Sequence, residues 1–223
     1  MDNHRLINQD SNNVEWYTPP EIIEAARATM GNIDLDPASS CAANKIVKAH
    51  VYYKKPKQRT LHYWNGSLPT VVLGASPQPA LFYNWFAGTV FMNHPFGRSE
   101  QSCKAECAKK ICKKRGWHTA DPIPGNAEWI NHLVNEYKAG NVKQAICITF
   151  ASQSAKWARP LRDFPRWIPD KRINYLDEEG NEIRGVTKDS MVTYMGDNLF
   201  SFVQNFTNTS YGGTVDIPFQ KVS

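Results

Sequence analysis

Residues 90–98 read Val-Phe-Met-Asn-His-Pro-Phe-Gly-Arg, and the fold turns on how this stretch is understood. An apolar run, Val90–Met92, has strand character. It ends without the small polar residues that usually open a turn. Instead Asn93, His94, Pro95 and Phe96 present an amide, an imidazole, a proline and an aromatic ring in succession. Groups of that kind at the carboxyl end of a strand suit a flat, polar, aromatic ligand. In open α/β sheets that end is where ligands bind.

Working outward, the flanking segments read as an alternation of helices and strands. In YTPPEIIEAARATMGN, Thr18 is the expected N-cap, Pro19 the first helical residue and Glu21 the partner of a capping box. Ile22, Ile23, Ala26 and Met30 give one apolar face, and Gly31 a left-handed stop. IDLDPASS follows as a short strand, Ile33 to Asp36, ending in carboxylates and small residues. NKIVKAHVYYKK reads as helix then strand, and Thr70 to Leu73 as a further short strand. PGNAEWINHLVNEYKAGN is a helix capped by Asn126 and stopped by Gly140. QAICITF is a central strand, ending in Ser152, Gln153 and Ser154. RINYLDEEGNEIRG reads as a strand running into a turn, SMVTYM as another strand, and GGTVDIPF as one that closes the sheet. The expectation is a single α/β domain over residues 15–223 behind a loose polar arm, 1–14, with an insertion over about 98–125.

The chemistry that Asn-x-Pro-aromatic suits is attack by an exocyclic amine. The lone pair of adenine N6 is delocalised into the ring. Accepting hydrogen bonds from both amine hydrogens returns electron density to nitrogen. The Asn93 side-chain oxygen and the carbonyl of residue 94 are placed to do so, while Phe96 stacks on the base, worth ~1–3 kcal/mol. Reaching that nitrogen in duplex DNA requires flipping the base out of the stack.

Four segments in order, EWYTPPEII, IDLDPASSCAANK, VFMNHPFG and ITFASQSAKW, together resemble the phage-type DNA N6-adenine methyltransferases, a family dependent on S-adenosylmethionine. The resemblance covers most of residues 15–200 apart from the insertion. It implies a Rossmann-like class I methyltransferase sheet, with catalytic Asn93, His94, Pro95 and Phe96. It also implies that Tyr17, Thr18 and Pro19, with Asp34, Asp36, Pro37, Ala38, Ser39 and Asn93, hold the cofactor. The partner implied is double-stranded DNA with its target base flipped, in a bacterial host cytoplasm. His94 stands where the family usually has proline, and the glycine-rich cofactor loop is missing near Asp36. No aspartate occurs from Val51 to Ala120, so Asn44 and Asn65 are the candidates for the ribose hydroxyls. N4 of cytosine offers the same amine chemistry, and a catalytically inactive zinc-containing DNA-binding protein is the alternative of a different class. Asp34 and Asp36 also read as strand-end caps, and Trp16, Tyr17 and Trp157 as core aromatics. His50, His62 and His132 read as structural.

The insertion carries its own pattern. Cys103, Cys107, Cys112 and His118 follow C-x3-C-x4-C-x5-H, four soft ligands close enough in sequence to surround one zinc ion. An iron–sulfur cluster and scattered thiols on a basic helix are the other readings. From Arg98 to His118 the chain has seven basic residues (Arg98, Lys104, Lys109, Lys110, Lys113, Lys114 and Arg115) and two acids. That surplus of five equals the net charge of the whole chain, +5. Such a cluster reads either as a solvated surface or, directly after the Asn93 motif, as a polyanion-binding patch.

The chain's 223 residues suffice for one full α/β core. No apolar run approaches the roughly 20 residues of a membrane span. The polar N-terminus is not a signal peptide. Five cysteines, odd in number and three of them clustered, argue against a secreted disulfide framework and for a reducing cytoplasm.

Overall fold

The computed structural model describes residues 16–54, 60–62, 70–72, 79–81, 84–104, 107–115, 118–183, 186 and 188–218. The expected arm, 1–14, and Asn65 lie outside them. Helix α1 spans Pro20–Met30, one residue later than the sequence suggests. Pro19 is its N-cap and Pro20 its first residue, a position whose N–H has no intrahelical partner anyway. The expected capping box does not form. The Thr18 hydroxyl accepts from the Asn93 amide at 3.0 Å, and Glu21 takes the backbone N–H and hydroxyl of Ser210. Strand β1 is Leu35–Ser39, displaced towards the carboxyl end of the expected Ile33 to Asp36. Its register slips between Asp36 and Ser39. Pro37 sits in that bulge, where a residue without an N–H leaves the ladder intact.

Ser40 caps α2 (Cys41–Val47), its hydroxyl accepting from Ala43 N. The remaining elements are β2 (Val51–Lys54), β3 (Thr60–His62), β4 (Thr70–Val72), β5 (Ala87–Met92), α3 (Lys110–Arg115), β6 (His118–Thr119), α4 (Asn126–Lys138), β7 (Val142–Phe150), β8 (Arg166–Ile168), β9 (Ser190–Met195), α5 (Leu199–Thr207) and β10 (Thr214–Asp216). Seven strands form one mixed sheet in the order β10-β8-β9-β7-β5-β1-β2. β2, β1, β5 and β7 run parallel, while β9, β8 and β10 are each antiparallel to their neighbours. This α/β architecture is compatible with a Rossmann-like fold.

Side chains alternate between two cores, because successive residues of a strand face opposite sides. Phe91, Ile146, Ile148, Val192 and Tyr194 meet the apolar faces of α1 and α5. Val90, Met92, Ala145, Cys147 and Met195 meet Trp129, Ile130, Leu133 and Val134 of α4. Strands covered on both faces read as nearly continuous apolar runs, which is why QAICITF and TVFM stand out in the sequence. Two elements lacked such a signal: three-residue β8, and α5, whose start is capped by Asn198. The expected strand at 172–176 is an irregular segment instead. Leu176 bridges Tyr17 on one side and Glu182 on the other, around a turn with Gly180 at φ 87°. β6 pairs with β3, which pairs with β4, as a second, three-stranded antiparallel sheet. The insertion is therefore joined through β6 to β3 as well as to itself. Among the described residues, no helix is long and apolar enough to cross a membrane.

Candidate functional site

The parallel half of the sheet changes direction at one place. From β1 the chain reaches β2 on one side, and β5 is added on the other. Such a switch point opens a crevice at the carboxyl ends of the two central strands. Leu35 is opposite Val90, so the Asp36–Ser39 bulge and the Asn93–Phe96 loop emerge side by side there. Two segments linked along the chain only by resemblance are thus neighbours in the fold.

Asn93 is held from the segment before α1. Its amide nitrogen donates to the Trp16 carbonyl at 3.3 Å and to Thr18 Oγ1 at 3.0 Å. A carbonyl can only accept, so the NH2 side of the amide is committed to it. The Asn93 side-chain oxygen then points elsewhere, with no hydrogen-bond partner among the described residues. The His94 carbonyl has none there either. The Thr18 hydroxyl, expected both as a helix cap and among the cofactor residues, does not cap α1 but holds Asn93, and Thr18 is buried.

His94 turns its ring inward and is 1% exposed. Its Nε2 lies 3.2 Å from Asn126 Oδ1, and the same oxygen accepts from Gly97 N at 2.9 Å. Because that atom is an acceptor for Gly97, the imidazole must donate from Nε2. Nδ1 has no hydrogen-bond partner. Burial pushes the His94 pKa down to about 4, against the pull of Asn126. The imidazole is a neutral, buried anchor of the loop. Phe96 is half buried, with the Phe150 ring at 4.3 Å and His94 edge-on at 5.2 Å. Pro95 is exposed.

On the β1 side, Asp36 is 3% exposed. Burial pushes its carboxyl up to about 6, although the Ser39 hydroxyl and the Ala38 N–H, at 3.2 Å, pull the other way. Tyr17 is buried, and its hydroxyl receives a hydrogen bond from Ser40 at 3.3 Å. Asp34 is not brought here. It lies before β1, where its carboxylate accepts from Thr89 N, Asn32 and His50. That geometry matches the strand-end reading of this residue. Asn44 is likewise engaged, bonding both the N–H and the carbonyl of Ala49 after α2.

Within the insertion, ligand atoms of Cys103, Cys107, Cys112 and His118 all lie within 4.8 Å of one another. Cys112 comes from α3 and His118 from β6. The Cys103–Cys112 and Cys107–Cys112 sulfur separations are 3.5 and 3.7 Å. A tetrahedral site with Zn–S of about 2.3 Å has edges of about 3.8 Å, so the thiols already stand near ligand spacing. The Lys109 backbone N–H holds the Cys107 thiol below its usual range. This Cys3His cluster could hold a metal ion. Arg98, Lys104, Lys109, Lys110, Lys113 and Lys114 of the insertion are all exposed. The side chain of Arg115 lies outside the described set.

Asn126 does not play the part its sequence position suggests. It was expected as the cap of α4, whereas Gly125 is the N-cap and Asn126 the first helical residue. Its side chain is directed at the Asn93–Gly97 loop. An asparagine at a helix start reads as a cap in any sequence, and nothing local separates the two uses. No family model, curated protein or solved structure matches this chain.

Proposed function

We propose that this chain is an S-adenosylmethionine-dependent DNA methyltransferase acting on the N6 amino group of adenine, built on a Rossmann-like methyltransferase sheet. The observation that carries the reading is the pair of uncommitted acceptors, Asn93 Oδ1 and the His94 carbonyl, at the end of β5 beside the β1 bulge. An exocyclic amine has two hydrogens to give, and this loop offers two oxygens one residue apart. Donation to both raises electron density on the amine nitrogen and aims its lone pair. Thr18 and the Trp16 carbonyl keep the Asn93 oxygen turned towards that partner, so no amide rotation is needed at reaction.

Bound S-adenosylmethionine would supply a methyl group on a sulfonium centre. In-line attack by the amine would form the N–C bond as the C–S bond breaks, the neutral thioether S-adenosylhomocysteine leaving and the extra amine proton passing to solvent. Holding the reactants in that alignment is worth ~7–11 kcal/mol. The donor set fits this cofactor in one further respect. Asp36 is a buried carboxyl that ionises only at a cost, and an ammonium group at the end of β1 would offset that cost. Phe96 supplies an apolar wall for the base. Zinc occupies the Cys3His cluster as a structural ion, and the lysines around it contact DNA phosphates.

The test is mass spectrometry of nucleosides from DNA of cells expressing the protein, alongside transfer from labelled cofactor by purified enzyme. N6-methyladenine is expected from wild type, with a loss of about 100-fold or more for Asn93→Ala, comparable to removing one preorganised polar contact. N4-methylcytosine as the only product would reassign the base. Unmodified DNA, together with no thermal shift on adding S-adenosylmethionine, would favour the DNA-binding protein without catalysis.

A further inference from the structure

The insertion leaves β5 and returns to α4 as two antiparallel legs. At the foot, Asn126 N donates to the Gly97 carbonyl at 2.9 Å, and Asn126 Oδ1 accepts from Gly97 N at 2.9 Å. One step out, Glu100 and Ile123 exchange both backbone bonds, at 2.9 and 2.8 Å. Further out, Cys103 N donates to the Thr119 carbonyl at 2.8 Å. Gly125 shows how closely the legs press together. A Cβ added there would stand 2.3 Å from Ser99 N and 2.8 Å from the Gly97 carbonyl oxygen.

The four metal-ligating side chains sit at or beyond the last of these rungs, since Cys103 and His118 flank it. At the opposite end, the Asn126 oxygen that holds Gly97 also receives the His94 imidazole at 3.2 Å. The metal cluster and the Asn93–Gly97 loop are therefore the two ends of one ladder. Its distal rung is also joined to the short strand β3 through β6, but so few short strands with little apolar burial are marginal in water. Coordination at its tip restrains both legs, because metal-binding free energy in small sites appears as folding free energy.

We infer that metal in the Cys3His site closes the distal end of this ladder and thereby orders the Asn93–Gly97 loop, with Asn126 as the positioning residue at its foot. The functional meaning of that loop rests on the proposed methyltransferase activity, but the coupling itself does not.

The experiment uses full-length protein in three states: zinc-loaded, chelator-stripped and cobalt-substituted. Cobalt should bind once per chain, with the visible bands of a tetrahedral thiolate-rich site. Hydrogen–deuterium exchange in peptides covering 93–103 and 119–126 should quicken about tenfold on stripping, as expected when hydrogen bonds worth about 1 kcal/mol each open locally. Exchange in β7, residues 142–150, should not change. Asn126→Ala should keep the cobalt spectrum yet quicken exchange at 93–97, and Asn126→Asp, which retains an acceptor oxygen, should restore protection. Absence of the cobalt bands would overturn the inference. So would unchanged exchange at 93–103 in stripped protein, or at 93–97 in Asn126→Ala. None of these readouts involves methyl transfer, so an inactive wild type would sink the proposed function while leaving this coupling standing.

Discussion

The carboxyl end of β5 and the Cys3His knuckle are joined by one short ladder, yet they are held by opposite means. Asn93 is fixed by Trp16 and Thr18, residues 77 and 75 positions away. His94 is sealed among Phe96, Trp129 and Asn126. Most of that loop's contacts come from the core packed around it, and its Gly97 end is tied to the ladder. The knuckle gathers four side chains able to hold a metal from sixteen consecutive residues, with Cys112 buried. The difference teaches that a site can be rigid through packing or through coordination, and that the two should fail under different insults. Acid and core substitutions should strike the first directly, while chelation and thiol loss should strike the second and reach the first only through the ladder.

The largest test of that contrast lies in two buried titrating groups. Asp36 has a folded pKa of about 6 against an ordinary 3.8, so its penalty is absent below pH 3.8 and complete above 6. Asp36→Asn should therefore stabilise the fold at pH 7 by up to about 3 kcal/mol, with the gain vanishing near pH 4. His94 runs the other way, with a folded pKa of about 4 against 6.5. Its penalty is absent above pH 6.5 and grows towards pH 4. His94→Gln should gain relative to wild type by up to about 3 kcal/mol as pH falls across that range. Urea unfolding at several pH values reads both differences. Parallel curves for wild type and both variants would show that neither group is buried as described.

Next in size is Gly125→Ala, which strikes the junction of the two regions. The new methyl meets the backbone of Gly97, Arg98 and Ser99 in the facing leg, so the legs must part, at a cost of about 1–3 kcal/mol. Cobalt binding at the tip should survive, because the ligands lie beyond the break, while protection of the Asn93 loop disappears. Equal weakening of both would mean that the knuckle is not stabilised by its own coordination.

Thr18→Ala is a smaller probe, confined to the packed region. It removes one of two acceptors for the Asn93 amide and should cost about 1 kcal/mol in stability. Methyl transfer should fall further than stability does, since the amide gains freedom to rotate. Thr18→Ser should retain both. The least disruptive substitution is confined to the knuckle. Replacing Lys109, Lys110, Lys113 and Lys114 by alanine should leave stability and metal content unchanged. It should flatten the log–log salt dependence of DNA binding by about 0.9 for each phosphate that is no longer neutralised. An unaltered slope would mark these lysines as a solvated face.

Much of this architecture was legible along the chain. The apolar runs of β5, β7 and β9, the helix α4 and the Cys/His spacing all depend on residues close in sequence. Burial on both faces or coordination of one ion imposes a pattern that neighbours alone display. The Asn93 motif was equally visible as a strand end unlike an ordinary turn. Other features were settled only by tertiary contacts. Thr18 and Asn126 each carry a sequence signature for helix capping, but their side chains turn to the Asn93 loop instead, where a partner remote in sequence offers a buried hydrogen bond. Asp34 and Asp36 are two residues apart and look alike in sequence. The register slip at Pro37 leaves Asp36 buried within β1, while Asp34 braces the start of the strand. The pairing of β6 with β3, the short strand β8 and the foot of the ladder likewise depend on segments far apart in the chain. Local propensity ranks what a residue can do, and the company the fold brings to it decides which of those it does.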